Sequence, residues 1–196
     1  MSAVTAMPNR VRGFSLLELM ITITVMAILL AIAVPSFRDV IHRNQVSSAS
    51  NALLASVNYA RSEAITRGQL VSMCPGDKTS GCTSGGTVYD QGWIVYTYPA
   101  GAASANKAYA AGSSILLRSV DPQTNVSIQA KSGTIVTFGQ QGQLKPSTPL
   151  VFAACYRSGS SGVGSITAKV PGAQLDVNGS GSVTTKSLTT GSCTPS

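Results

Sequence analysis

The chain has 196 residues, a length that fits one medium domain with an appended segment rather than two large domains. Only 11% of the residues are charged and 43% are hydrophobic, which excludes a chain kept disordered by excess charge. The net charge of +7 comes from 14 Lys and Arg against 7 Asp and Glu, a balance too dilute to indicate a nucleic-acid-binding protein by itself.

An apolar stretch follows a short polar N-terminus. It covers residues 14–34, and a helix of this length, at about 1.5 Å per residue, spans the roughly 30 Å hydrocarbon core of a bilayer. Arg10 and Arg12 precede it, which predicts a cytoplasmic N-terminus and an outward-facing remainder. The alternative is a secretory signal peptide cut after Ala33. It is disfavoured because Glu18 would then interrupt the apolar region.

The run Gly-Phe-Ser-Leu-Leu-Glu at residues 13–18 resembles the leader junction of type IV pilins and of type II secretion pseudopilins. The resemblance implies that residues 1–13 are a leader peptide. A prepilin peptidase would cleave between Gly13 and Phe14 and then N-methylate Phe14. The expected products are a free leader and a mature chain that begins with a modified α-amino group.

Two further positions match the same family. Glu18 becomes fifth and Pro35 twenty-second in the mature chain, where the family has an intramembrane carboxylate and a helix-kinking proline. A carboxylate inside a membrane span costs on the order of 2–3 kcal/mol, and it gains most by meeting a cation. We therefore expect Glu18 to neutralise the α-amino group of a neighbouring subunit and to set the axial register.

Helical periodicity continues past the apolar stretch. Six apolar residues follow each other in steps of three or four and predict one buried helix face: Val46, Ala49, Leu53, Val57, Ala60 and Ala64. Gly68 is a candidate helix stop. A helix from Phe14 to Arg67 would be roughly 80 Å long. We divide it into a membrane and filament-core half, residues 14–36, and an amphipathic half, residues 37–68, followed by a head at residues 69–196.

The sequence of the head predicts short β-strands separated by Gly, Ser, Pro and Asn. Nine strands are predicted, at residues 70–73, 93–98, 114–118, 126–130, 134–138, 150–156, 165–170, 174–177 and 183–188. Nine strands without intervening helices indicate an α+β class with an antiparallel sheet or small sandwich. Residues 59–68, 92–96 and 137–142 resemble motifs of the FimU, FimT and GspH group of minor pilins. The resemblance implies the type IV pilin fold, in which a long N-terminal helix packs on the β-rich head.

Four cysteines lie beyond the apolar stretch and fit an oxidising compartment. Three pairings are open in principle. We favour Cys74 with Cys82, closing a Pro-Gly-Asp-Lys turn, and Cys155 with Cys193, tying down the C-terminus. In the chain-entropy model these contribute roughly 2.5 and 4 kcal/mol. The spacing is not that of a zinc site, and no metal or cofactor is expected.

An enzyme is not expected, because the residues beyond Gly68 include no His and only four acids. DNA binding is disfavoured. DNA-uptake members of the group carry a C-terminal Gly-Arg-x-Arg motif, whereas the two arginine positions here are Ser182 and Thr184. The eight cations of the head are also scattered along the chain.

The resemblance therefore implies a FimU-like minor pilin. It would help prime type IV pilus assembly and join the tip minor-pilin complex to the major pilin, with prepilin peptidase, the major pilin and other minor pilins as partners. It would be located in the bacterial inner membrane with its head in the periplasm, and then in the extracellular pilus near the tip. Two alternatives stay open: a GspH-like pseudopilin of type II secretion, and a FimT-like DNA receptor for natural transformation.

Overall fold

The computed structural model of the chain describes residues 13–99, 101, 104–132 and 135–195. The chain divides into two compact units, the first ending at Arg38 and the second beginning at Asp39. Most of the predicted leader, including Arg10 and Arg12, lies outside the described residues. Of the expected junction the structure describes Gly13, Phe14 and Ser15, which precede the helix.

Helix α1 spans Leu16–Arg67. Ser15 caps its N-terminus, since the Glu18 main-chain N–H donates to Ser15 Oγ at 3.2 Å. Gly68 ends the helix with φ +59°. Its N–H donates to the carbonyl of Ile65, and the Gln69 N–H donates to that of Ala64, which is the Schellman pattern of helix termination.

The remainder of the described chain forms nine strands. In chain order they are β1 Val71–Asp77, β2 Gly81–Cys82, β3 Trp93–Thr97, β4 Ile115–Val120, β5 Val126–Ala130, β6 Val136–Phe138, β7 Leu150–Tyr156, β8 Gly172–Val177 and β9 Val183–Leu188. All the strand pairings are antiparallel. One sheet has the order β2-β1-β3-β4. Strand β6 also belongs to it: β6 pairs with the same edge of β1 as β2 does, but at the opposite end of that edge. The second has the order β5-β7-β8-β9. The predicted α+β class is confirmed.

One core joins the second half of α1 to both sheets. The six residues predicted as the buried helix face are all buried, with at most 3% of their surface exposed. Five of them, all except Val46, belong to one core cluster with alternate residues of the first sheet, such as Met73 and Val95, and of the second sheet, such as Phe152 and Leu175. This period of two is what an antiparallel strand imposes when one of its faces is covered.

The first sheet is covered on its other face as well. Ile94, Tyr96 and Tyr98 form a smaller apolar cluster there with Leu70 and Cys74. The hydroxyls of Tyr96 and Tyr98 both donate to the Lys107 carbonyl, at 2.6 and 2.8 Å. Lys107, in the Ala- and Gly-rich segment after β3 that the composition predicts to be a flexible surface loop, is thus hydrogen-bonded to the sheet.

Two strand assignments were wrong. Residues 165–170 form no strand: only Ser165 makes β-bridges, to Tyr156 and Ser192. Thr167 and Val170 instead close a tight turn, in which the Val170 N–H donates to Thr167 Oγ1 at 3.0 Å. β2 was missed because it has only two residues, a length at which no period can be read. The turn in the Cys74–Cys82 loop also comes later than expected, because β1 continues through Pro75 and Gly76.

Candidate functional site

The apolar part of α1 is the first candidate site. Its large side chains are exposed in the isolated chain: Leu16 is 76% exposed and Leu29 is 59% exposed. By length and composition this helix could cross a membrane. The Thr22 and Thr24 hydroxyls each donate to a main-chain carbonyl of the same helix at 2.8 Å. Polar groups satisfied in this way carry little cost in a hydrocarbon environment.

Glu18 lies in the first turn of α1. Ser15 and Glu18 have the spacing of a capping box, and one half of it is formed by the Ser15 hydroxyl. A carboxylate at this end is also favoured by the helix dipole. Neither effect requires a neighbouring subunit, so capping is an explanation that must be tested against subunit pairing. Pro35 lies within α1, where it removes one main-chain donor.

The head is crosslinked twice. Cys74 pairs with Cys82, and Cys155 pairs with Cys193. This is the pairing that the sequence separation favours. The shorter loop is further held by Asp77, whose carboxylate accepts the main-chain N–H groups of Thr79 and Ser80 at 2.6 and 2.8 Å. These two hydrogen bonds lower the pKa of the Asp77 carboxyl below its usual value.

Arg61 connects α1 to both sheets. Its Nε donates to the Gly142 carbonyl at 3.0 Å, in the loop that follows β6. Its Nη2 donates to the Ser180 carbonyl at 3.4 Å, in the loop between β8 and β9. Sequence reasoning recognised the helix end and the segment ending at Gly142 as motifs but gave Arg61 no role. No local sequence pattern predicts this contact, because the two partners are 81 and 119 residues away from Arg61 in the sequence.

A buried ion pair was also missed. Arg157 Nη1 lies 2.5 Å from the Asp90 carboxylate, and the two side chains are 5% and 0% exposed. Burial raises the pKa of Asp90, while the Arg157 charge opposes that rise. The same guanidinium donates to the carbonyls of Gly159 and Gly162. The pair therefore organises the loop that follows β7.

Some of the charged groups of the head form ion pairs. Besides Arg157, two more of the head's cations pair with acids in the part of the chain that the structure describes. Lys186 lies 2.7 Å from Asp176, and Lys169 lies 3.8 Å from Asp39. Partial burial raises the pKa of Asp176, but the contacts from Lys186 and Gln174 outweigh it, and the net shift is downward.

The two positions that would carry the arginines of a DNA-binding motif belong to the β8–β9 hairpin. The Ser182 N–H donates to the Asn178 side chain at 3.0 Å and closes the turn. Thr184 is exposed on β9 opposite Asp176. Both are uncharged, and the neighbouring carboxylate is unfavourable for a phosphate. The local electrostatics of this hairpin do not suit a polyanion.

The single histidine also has a structural contact. The ring of His42 stacks on that of Tyr156, with centroids 3.7 Å apart and planes 18° apart. His42 therefore lies against the second sheet, at the residue that follows Cys155 in β7. Within the described residues no cluster of three His, Cys, Asp or Glu side chains is arranged to hold a metal ion.

Two family models match the chain. The model for type II transport protein GspH matches residues 49–181, about two thirds of the chain. The model for the prokaryotic N-terminal methylation motif matches residues 8–34. The first match includes the Arg61 contact, and the second includes the expected cleavage point and Glu18.

Individual proteins give similar results. The type IV major fimbrial protein FimA of Dichelobacter nodosus is 29% identical over 133 residues, which cover 63% of this chain and 85% of that protein. The fimbrial protein EcpC of Eikenella corrodens is 50% identical over 40 residues, 20% of this chain and 26% of that protein. A crystal structure of the Pseudomonas aeruginosa type IV minor pilin FimU has a TM-score of 0.52 at 24% identity, covering 77% of this chain and 96% of that one. This structural likeness shows the fold.

Proposed function

The chain belongs to the family of type II transport protein GspH and carries the prokaryotic N-terminal methylation motif, and from this premise we propose that it is a minor pilin that helps prime type IV pilus assembly. In this role it connects a minor-pilin complex at the pilus tip to the major pilin. The observation that carries the proposal is Glu18, a lone carboxylate in the first turn of a helix that is otherwise apolar and exposed up to Val34.

The exposed apolar side chains explain how such a protein changes location. A stretch of about 20 apolar residues is stable in the inner membrane, and it stays buried if it moves directly into the apolar centre of a filament. The head, which folds around its own core, then stays in the periplasm and later outside the cell. Two disulfides suit those oxidising compartments.

Processing should precede assembly. We propose that prepilin peptidase cleaves the chain between Gly13 and Phe14 and that Phe14 is then N-methylated. Mass spectrometry of the protein extracted from membranes should find a chain that begins with N-methylated Phe14. Cleavage removes residues 1–13 and leaves Ser15 as the helix cap. A chain beginning at Val34 would mean secretory signal cleavage and would overturn the pilin account.

The charge arrangement favours an adapter over a DNA receptor. The outer face of β8 and β9 places Lys186 against Asp176, so positive charge there is already balanced. Arg118 lies over the ring of Tyr59, with its guanidinium 5.9 Å from the ring centroid. A head with balanced pairs and exposed apolar residues such as Ile115 and Val163 suits contacts with other pilin heads.

A gene deletion tests the proposed role. Surface pili and uptake of DNA should be scored in the same deletion strain, with the wild-type gene restored on a plasmid as the control. We expect pili to be lost or sharply reduced. Normal pili with lost DNA uptake would identify a DNA receptor that binds without the expected arginines. If both were normal, the secretion pseudopilin would become the better assignment.

A further inference from the structure

A cavity opens where three loops of the head meet. It has a volume of about 440 Å³, within the roughly 300–1,000 Å³ typical of small-molecule pockets. Gln91 lines it from the connection before β3, and residues 122–125 line it from the β4–β5 loop. Arg157, Gly159 and Ser160 line it from the start of the β7–β8 loop. The family resemblance and the proposed assembly role assign nothing to this cavity.

The buried Asp90–Arg157 pair holds the three loops in place. Asp90 is adjacent to Gln91, and its carbonyl accepts the Gln123 N–H at 2.7 Å. The Arg157 N–H donates to the Asn125 carbonyl at 2.9 Å, and its guanidinium holds the Gly159 carbonyl at 3.3 Å. Each wall of the cavity is therefore fixed to the same ion pair, which gives a preformed site rather than a gap between mobile loops.

The side chains that line the cavity are uncharged, apart from the paired Arg157, and they present carbon surface as well as polar groups. Five amide and hydroxyl side chains face the cavity: Gln91, Gln123, Thr124, Asn125 and Ser160. Thr124 and Asn125 make no side-chain hydrogen bond to any residue that the structure describes, so their donors and acceptors are available to a ligand. Asn125 adopts φ +59°, an uncommon conformation for a non-glycine residue, which fixes the direction of its side chain.

We propose that this cavity binds an uncharged carbohydrate unit. Amides and hydroxyls offer donors and acceptors together, which matches sugar hydroxyls because each of these also donates and accepts. An anionic ligand would find no unpaired cation in the lining, since Asp90 neutralises Arg157. An apolar ligand would leave the side chains of Thr124 and Asn125 without a hydrogen-bond partner. The cavity has room for about one or two pyranose rings.

The test uses the full chain in lipid nanodiscs, because detergents with sugar head groups would compete. Saturation-transfer NMR should detect binding of at least one of the methyl glycosides of glucose, galactose, mannose and N-acetylglucosamine, and no binding of glucose 6-phosphate. Retention of the protein on neutral dextran beads distinguishes a sugar that is part of a polymer from a small free sugar. Retention supports a sugar presented within a polymer, and transfer from the glycosides without retention supports a small free sugar.

A double variant with a matched control assigns the signal to the cavity. Thr124→Val with Ser160→Ala removes two hydroxyls from the lining and should weaken binding about tenfold, since each hydrogen bond contributes roughly threefold. Thr184→Val with Ser187→Ala removes two exposed hydroxyls from β9 and should change nothing. The proposal is overturned if no neutral glycoside binds, if only the phosphorylated sugar binds, or if the lining variant binds as well as the control.

Discussion

Replacement of Glu18 by Ala is expected to leave leader cleavage intact while reducing incorporation into filaments at least tenfold. If the carboxylate pairs with the α-amino group of a neighbouring subunit in an apolar environment, its loss leaves that amine buried and unpaired. Such a loss costs roughly 3–5 kcal/mol, and each 1.4 kcal/mol is a factor of ten. The measurement is the amount of the protein in sheared pili divided by the amount in the membrane fraction.

Glu18→Gln separates charge pairing from helix capping. Glutamine preserves the capping-box geometry with Ser15 but carries no charge. We expect it to assemble as poorly as the alanine variant. If Gln assembled like the wild type, capping would account for Glu18 and the pairing proposal would fail. Thr22→Val is the matched control, because it removes a polar group of the same helix that is already bonded to the Leu19 carbonyl. That variant should assemble normally.

The parts of the fold predicted best from the sequence are those governed by a local period. The buried face of α1 follows from residues such as Leu53 and Val57, because a helix with one covered side repeats apolar residues every three to four positions. Strand β7 was predicted at its observed bounds, Leu150–Tyr156, because its apolar run is long and ends in turn residues.

The features that could not be predicted depend on pairing across long sequence separations. Arg61 and Arg157 look like ordinary exposed cations in the sequence, yet their partners lie in loops that only the tertiary fold brings together. Residues 165–170 were assigned to a strand because Ile166, Thr167 and Val170 are β-branched, whereas the Thr167 hydroxyl accepts the Val170 main-chain N–H and forms a turn. The cavity in the head could not be predicted for the same reason, because its walls come from three separate connections.

Gly181 lies where α1 and the two sheets meet, and Gly181→Ala should lower the free energy of unfolding of the head by more than about 3 kcal/mol. Gly181 has φ +80°, a conformation that costs an alanine roughly 1–2 kcal/mol. An added Cβ would lie 1.9 Å from the Gly142 carbonyl oxygen and 3.1 Å from Arg61 Nε. That carbonyl is the one to which Arg61 donates, so the loop cannot move aside without breaking the connection between helix and sheet.

Gly112→Ala is the matched control, since Gly112 has φ +88° but an added Cβ would meet no described atom within 4 Å. It should cost only the conformational part, roughly 1–2 kcal/mol. Urea unfolding of the full chain can be followed by the fluorescence of Trp93, the only tryptophan, which is fully buried. Equal losses in the two variants would show that the contact at Gly142 contributes nothing.

Gly181→Ala should reduce the amount of pili only as far as it reduces the folded fraction of the protein. Glu18→Ala, by contrast, should reduce the amount of pili while the head stays fully stable, because Glu18 acts between subunits and Gly181 acts within one.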